Sequence, residues 1–201
     1  MSVHDLHQGD TYTAFRKQFE RDAIWARMVA PGDRLPSLTL VEVDLGPIHL
    51  DRMRQTGPVV LVFFRHASSP ACNFALDAYR HALLPALGDL GAHLVAVSPQ
   101  VPDRLLAIKR RHGLDFFVAA DPRHSLIDAF NIGFASPGVD VLLGARDSIL
   151  PLPAAVVVDR SGVVRFVDVP PDPESRTPAG VLIDAVRALS WAGSKRDRAR
   201  C

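Results

Sequence analysis

The apolar run at residues 59–64 constrains the fold of this chain more than any other segment. Its sequence, VVLVFF, contains no polar position, whereas a strand with one solvent-facing side alternates apolar and polar residues. An uninterrupted apolar run is typical of a strand that is buried on both faces of a parallel sheet. The rest of the chain must therefore supply helices to cover both sides of that sheet.

The remaining segments predict such an arrangement. Further strands are predicted at Leu38–Val43, Leu94–Val97, Phe116–Ala119, Ala155–Val158 and Val163–Val169. Helices are predicted at Ala71–Leu87 (with a bend or break near Pro85), Pro102–Arg111, Ser125–Phe130 and Pro178–Leu189, and residues 131–152 are predicted to form a loop. This order gives an α/β fold with a mixed central sheet and helices on both faces. The right-handed crossover rule places 59–64 and 94–97 side by side and parallel in the sheet centre.

An amphipathic helix is predicted at residues 11–29, ahead of the domain. Its apolar positions, Phe15, Phe19, Ile24 and Met28, fall near helical spacing. We therefore divide the chain into an N-terminal helical extension at 1–30, the α/β domain at 31–192 and a flexible basic tail at 193–201. An uncovered apolar stripe is a liability, so this helix predicts either a homodimer or packing against its own domain.

Composition excludes several classes of function. The formal net charge of +1 gives no basic field for nucleic acid, and no apolar run approaches the length of a membrane span. The eight histidines show no metal-ligand spacing, and no glycine-rich phosphate loop follows a strand, so we expect no metal and no nucleotide cofactor. The first ten residues lack a signal-peptide pattern and the chain has two cysteines, which together predict a reducing, cytoplasmic setting.

The predicted topology makes Cys72 the candidate reactive residue. It follows the 59–64 strand by a short loop and falls in the first turn of the next helix, with Ser69 as the expected N-cap and Pro70 at the first helical position. Unpaired N–H groups at a helix start stabilise a thiolate and lower its pKa. Arg65, one residue past the strand, can add positive charge. The alternative is a cysteine that is only packed in the core.

The loop around Cys72 resembles the active-site loop of the peroxiredoxins. Its sequence is FFRHASSPACNFAL, in which Ser69 occupies the hydroxyl position of Pro-x-x-x-Thr/Ser-x-x-Cys and Arg65 stands where that proline would be. It is closer to the peroxiredoxin-like branch of the alkyl hydroperoxide reductase / thiol-specific antioxidant family, whose loop carries an arginine at the Arg65 position. That branch has Cys-Pro-x-Cys where this chain has Ser69-Pro70-Ala71-Cys72. Further segments resemble the branch in the same order: GDRLPSLTL (32–40), GAHLVAVSPQ (91–100), AADP (119–122) and LPLPAAVVVDRSGVVRF (150–166).

The resemblance implies a thioredoxin-like fold of the peroxiredoxin type and a thiol peroxidase that needs no cofactor. The Cys72 thiolate would attack a hydroperoxide and become a sulfenic acid, and Ser69 would orient the peroxide. An arginine must stabilise the charge on the two oxygens. Pro153 stands at the main family arginine position, so Arg176, which matches a second arginine position, and Arg65 are the candidates. Pro153 also matches the cis proline of thioredoxin-fold proteins, so we expect a cis bond facing Cys72.

Two further residues have a possible role beside the catalytic group. His66 lies in the Cys72 loop and either tunes the thiol or is an exposed loop residue. Cys201, at the end of the chain, either resolves the sulfenic acid or is a dangling tail thiol. The default expectation is a one-cysteine enzyme recycled by an external thiol reductant, either a thioredoxin-like protein or a small thiol.

Three functions remain open from the sequence. The first is the thiol peroxidase. The second is a non-catalytic thioredoxin-fold module that binds a partner or senses oxidation through Cys72, and Pro153 at the arginine position favours it. The third is a monothiol oxidoreductase, which Ser69 at the position of the first cysteine disfavours.

Overall fold

The computed structural model describes residues 20, 23–144, 148–170, 172 and 174–198, with the side chains of 190–198 not described. Within these residues no helix combines the length and apolar character needed to cross a membrane.

Nine strands form two sheets within the described residues. They are β1 (Thr39–Glu42), β2 (Gly46–His49), β3 (Val59–Phe63), β4 (His93–Ser98), β5 (Phe117–Ala120), β6 (Gly133–Ala135), β7 (Ile149–Pro151), β8 (Ala155–Val158) and β9 (Val164–Asp168). The main sheet has the order β2-β1-β5-β4-β3-β8-β9, and β6 pairs with β7 separately. β3, β4 and β5 run parallel to one another, whereas β1 and β8 pair with them antiparallel. The predicted mixed sheet, with 59–64 and 94–97 adjacent and parallel in its centre, is confirmed.

Helices cover both faces of this sheet. They are α1 (Ile24–Arg27), α2 (Leu50–Thr56), α3 (Pro70–Ala78), α4 (Leu84–Asp89), α5 (Pro102–His112), α6 (Ser125–Ala129), α7 (Asp140–Leu143) and α8 (Ala179–Arg198). Alternate residues of β3 point to opposite sides: Leu61 and Phe63 pack in one apolar cluster and Val60 and Val62 in the other. Cys72, which is part of α3, packs in the second cluster. The all-apolar sequence of β3 thus serves two cores.

The helix that carries Cys72 is interrupted, as predicted, but one turn before Pro85. A π-helical segment, Tyr79–Leu83, separates α3 from α4. Proline has no N–H and its ring crowds the carbonyl four residues earlier, here that of His81. A wider turn at this point relieves that conflict without ending the helix.

Two stretches carry more regular structure than the sequence predicts. β2 and α2 fill residues 46–56, which lie outside the predicted elements. The predicted loop at 131–152 is wrong in part, because it contains β6, α7 and β7. Strands of three residues give almost no periodic signal. They form here because Phe134 and Ile149 pack against the first core cluster.

The two ends of the chain also differ from prediction. Of the expected helix at 11–29, residues 11–19 and 21–22 lie outside the described residues. At its end, Ile24 and Val29 are buried in the first core cluster, and the Val29 N–H donates to the Phe130 carbonyl over 2.9 Å, so this part packs on its own domain. The last helix continues past Leu189 to Arg198, so residues 193–198 are helical and not a frayed tail; the proposed domain boundaries stay a prediction.

Candidate active site

Cys72 lies at the carboxyl end of β3, in the first turn of α3. Ser69 is the N-cap: its backbone is extended and its Oγ accepts the N–H of Cys72 over 3.4 Å. Pro70 takes the first helical position, where its missing N–H costs nothing, and it is exposed. The predicted cap is therefore present, and it fixes Cys72 in the first turn of the helix.

The sulfur of Cys72 is fully buried and surrounded by donors. Its exposure is 0%, and the Nη2 of Arg176 lies 3.1 Å from Sγ. Hydrogen bonding from the Ser69 side chain and from the Arg65 backbone also lowers the pKa of the Cys72 thiol. Arg176 comes from the segment before α8, 104 residues further along the chain, so it is the fold that brings these groups together.

These contacts set the charge state of the thiol. Burial raises the pKa of Cys72, because it penalises the charged form. The positive charge of Arg176 and the hydrogen bonds from Ser69, Arg176 and Arg65 act in the opposite direction and prevail, so the pKa of Cys72 lies below its usual value. The arrangement favours the thiolate form of Cys72, which distinguishes it from an inert core cysteine.

Arg65 lies beside the site but is engaged elsewhere. Its guanidinium forms an ion pair with Glu174 and donates to the Ser69 Oγ over 3.4 Å. Its charge is therefore largely offset by Glu174. Arg65 reaches Cys72 through its backbone N–H and through Ser69, whereas Arg176 touches the sulfur directly.

The rest of the loop is held by Gln100, at the end of β4. Gln100 is buried, its Oε1 accepts the N–H of Ala67 over 2.7 Å, and its Nε2 donates to the Leu142 carbonyl over 2.7 Å. His66 is half-buried, and burial followed by the charge of Arg65 lowers its pKa, an effect that Glu174 partly opposes. His66 thus faces the Arg65–Glu174 pair and is neutral at neutral pH.

Pro153 lines the Cys72 pocket, but its predicted cis bond is wrong. No described peptide bond is cis, so the Leu152–Pro153 bond is trans. The chain turns here because the Ala154 N–H donates to the Leu152 carbonyl over 2.7 Å, a γ-turn centred on Pro153 that suits the fixed φ of proline. A trans proline therefore reaches the same place. The pocket is lined by Val62, Phe63, Phe64, Cys72, Ala75, Leu76, Tyr79, Pro153, Ala154 and Arg176.

Three site residues were missed by sequence reasoning. Tyr79 lines the pocket, and its position seven residues after Cys72, two turns along one helical face, could have pointed to it. Gln100 follows a central strand, where sites form. Glu174 gives no such signal, because its partner Arg65 is 109 residues away. Cys201 lies outside the described residues, and these contain no group of three metal-ligating side chains.

The mixed sheet and a capped helix with a buried cysteine at its start define a thioredoxin-fold protein, in which Cys72, the one cysteine of the described residues, is an activated thiol. A family model narrows this class. The model of the AhpC/TSA family matches residues 31–167, and the chain belongs to that family.

A comparison with individual proteins agrees with this family membership. Rv2521 of Mycobacterium tuberculosis, which carries a peroxiredoxin name, is 30% identical over 105 residues, or 51% of this chain and 64% of that protein. The chain thus matches just under two thirds of that relative's length.

Solved structures share the fold. Peroxidoxin BcpB from Mycobacterium tuberculosis superposes with a TM-score of 0.66 and 20% identity, over 79% of this chain and 97% of that one. Reduced Prx3 from Vibrio vulnificus in complex with H2O2 superposes with a TM-score of 0.67 and 23% identity, over 80% and 97% of the two chains. The thioredoxin-like fold of the peroxiredoxin type expected from the sequence is therefore present.

Proposed function

We propose that the protein is a thiol peroxidase of the one-cysteine type, which reduces hydrogen peroxide or organic hydroperoxides through Cys72. The observation that carries the proposal is the 3.1 Å contact between Arg176 Nη2 and Cys72 Sγ. A cysteine that is only packed needs no cation on its sulfur. A peroxidase needs one, first to hold the thiolate and then to stabilise the charge that develops on the oxygens.

The reaction follows from this geometry. The Cys72 thiolate attacks one peroxide oxygen in line with the O–O bond, and a new S–O bond forms as the O–O bond breaks. The electron pair of that bond leaves with the other oxygen, which takes up a proton and departs as water or an alcohol. The sulfur is oxidised by two electrons to a sulfenic acid. We assign the stabilisation of the peroxide oxygens to Arg176, which contacts the sulfur, and to the Ser69 hydroxyl.

The cycle is closed by an external thiol reductant. Its thiolate attacks the sulfenic sulfur, water leaves, and a mixed disulfide remains; a second thiol then releases Cys72. A thioredoxin-like protein and a small thiol both supply this chemistry. We assign no resolving role to Cys201 by default, and we place the protein in a reducing cytoplasmic setting, which keeps a lone thiolate available.

The proposal predicts rapid oxidation of Cys72 by one equivalent of peroxide. In a Cys201→Ser background, the reduced protein should gain the mass of one oxygen atom at a rate several orders of magnitude above that of free cysteine. Because the pKa of Cys72 is lowered, the rate should rise with pH through that pKa and level off below the value of about 8.5 for an ordinary thiol. Stopped-flow kinetics and intact mass give both readings.

Cys72→Ser in the same background is the control and should not react. A wild-type rate equal to that of free cysteine would reject the peroxidase and leave the non-catalytic module in its place. Cys201→Ser should also behave like the natural protein through repeated turnovers with an external thiol. Loss of turnover in that variant alone would assign the resolving role to Cys201.

We further expect the protein to form a homodimer. The apolar positions Phe15 and Phe19 belong to the sequence ahead of the described residues, and Trp25 is 49% exposed. Light scattering of the full chain at micromolar concentration should give twice the monomer mass, and removal of residues 1–19 should lower it. A monomer mass for the full chain would mean that this helix, like Ile24 and Val29, packs only on its own domain.

A further inference from the structure

The segment that carries Arg176 has no regular structure of its own. It joins β9 to α8, and its described residues, 169–170, 172 and 174–178, lie in no helix or strand, with Pro170 and Pro178 at its two ends. The position of the Arg176 guanidinium on the sulfur therefore depends on the bonds that fix the neighbouring backbone.

Two hydrogen bonds hold the chain at Thr177, the residue after Arg176. The Tyr79 hydroxyl donates to the Thr177 carbonyl over 2.7 Å, and the Thr177 hydroxyl donates to Asp168 Oδ2 over 2.8 Å. Tyr79 is 5% exposed and Thr177 is 2% exposed, so the bond between them is buried, whereas the bond to Asp168 is part-buried. One bond comes from the Cys72 helix and the other from the end of β9.

The place of Tyr79 explains why it can do this. It stands two helical turns after Cys72 and begins the π-helical segment, and its side chain lines the same pocket as Cys72 and Arg176. The helical stretch that carries Cys72 thus also carries the side chain that bonds to the segment of Arg176. The bond links the positions of the Cys72 sulfur and the Arg176 guanidinium.

We infer that Tyr79 is a positioning residue, whose hydroxyl holds Arg176 on the Cys72 sulfur by way of the Thr177 carbonyl. The effect of Tyr79 on peroxide reduction rests on the proposed function. A displaced Arg176 guanidinium would stabilise neither the Cys72 thiolate nor the charge that develops on the peroxide oxygens. The hydrogen bond from Tyr79 to Thr177 also persists over the pH range in which Cys72 titrates. Burial raises the pKa of Tyr79 to about 12, with the charge of Arg176 acting against this rise and those of Asp168 and Cys72 adding to it. The hydroxyl therefore stays protonated and able to donate while Cys72 titrates.

Tyr79→Phe tests the inference, because it keeps the ring and removes only the hydroxyl. We expect the pKa of Cys72, followed by thiolate absorbance in a Cys201→Ser background, to rise. Reaction with peroxide and with iodoacetamide at neutral pH should slow by roughly threefold to tenfold, the effect of one hydrogen bond. In an Arg176→Met background the same change should have no further effect, since the group that it positions is gone.

Thr177→Val serves as a second variant if Tyr79→Phe does not fold. It removes the bond to Asp168 and should shift the thiol pKa in the same direction. Thr56→Val is its matched control: Thr56 Oγ1 donates to the Met53 carbonyl over 2.8 Å, on α2 before the start of β3, and its loss should leave Cys72 unchanged.

Two results would overturn the inference. One is an unchanged pKa of Cys72 in folded Tyr79→Phe, or in Thr177→Val where Tyr79→Phe does not fold; the other is an equal slowing by Tyr79→Phe with and without Arg176. Should the natural protein fail to react with peroxide, the proposed function falls, but the thiolate titration and the iodoacetamide rates still decide on Tyr79.

Discussion

Replacing Arg176 by methionine should slow the oxidation of Cys72 by peroxide by roughly 10²–10³-fold, the usual effect of removing one preorganised donor to a developing charge. Methionine retains most of the bulk and removes the guanidinium that contacts Sγ at 3.1 Å. The pKa of Cys72 should rise in the same variant, because the charge of Arg176 is the main effect that lowers it against the opposing effect of burial. Lysine at this position keeps the charge without the planar fork, so Arg176→Lys should fall between the two.

Two other arginines, Arg65 and Arg187, provide the comparison for Arg176→Met. Arg65→Met should have a smaller effect, because the charge of Arg65 is offset by Glu174. Arg187→Met removes an exposed arginine of α8 that pairs with Asp184 over 3.4 Å and should leave the rate unchanged. Circular dichroism confirms folding in each case. Natural rates in both Arg176→Met and Arg65→Met, with Cys72→Ser inactive, would keep the nucleophile and reject the assignment of the arginine.

The local parts of the site could be predicted from the sequence. The apolar run at 59–64 indicates a central strand, and Ser69-Pro70 indicates the start of a helix, so Cys72 had to fall in its first turn. These features depend on neighbouring residues alone. The role of Arg176 was predicted from the family resemblance alone. Arg176 lies 104 residues after Cys72, and no periodic pattern in the sequence connects residues so far apart.

The remaining parts depend on contacts across the fold. The ion pair of Arg65 with Glu174 and the bond from Tyr79 to Thr177 join distant segments, and nothing near either residue marks the partner. The bond before Pro153 was predicted as cis by analogy, but a γ-turn brings a trans proline to the same pocket. Residues 46–56 and 133–151 form short elements whose stability comes from packing and not from local propensity.

Replacing Lys109 by methionine should lower the free energy of unfolding at neutral pH by about 3 kcal/mol, because it leaves a buried carboxylate without its cation. Glu42 is 1% exposed at the edge between β1 and β5. Its Oε1 accepts from Lys109 Nζ over 2.6 Å and from the Val118 N–H over 3.0 Å. Burial raises the pKa of Glu42, but Lys109 and the backbone N–H groups lower it further, so it lies below its usual range.

The pH dependence identifies the cause of this loss. A carboxyl group whose pKa is lowered on folding stabilises the protein above its unfolded pKa of about 4.3, and that contribution disappears as the pH falls through the folded value. In Lys109→Met the folded pKa of Glu42 should rise, so that protonation removes the unpaired charge. The difference in stability between the natural protein and the variant should therefore narrow as the pH is lowered toward 4.

Urea unfolding followed by circular dichroism measures these differences. Arg111→Met, which removes an exposed cation from the same helix, is the matched control and should change stability by no more than about 0.5 kcal/mol. The double variant Glu42→Gln/Lys109→Met should recover part of the loss, since it buries no charge. Equal effects of Lys109→Met and Arg111→Met would show that this ion pair does not hold β1 against β5. Because the pair lies on β1 and α5, away from the residues that line the Cys72 pocket, the pKa of Cys72 should be the same in all four proteins.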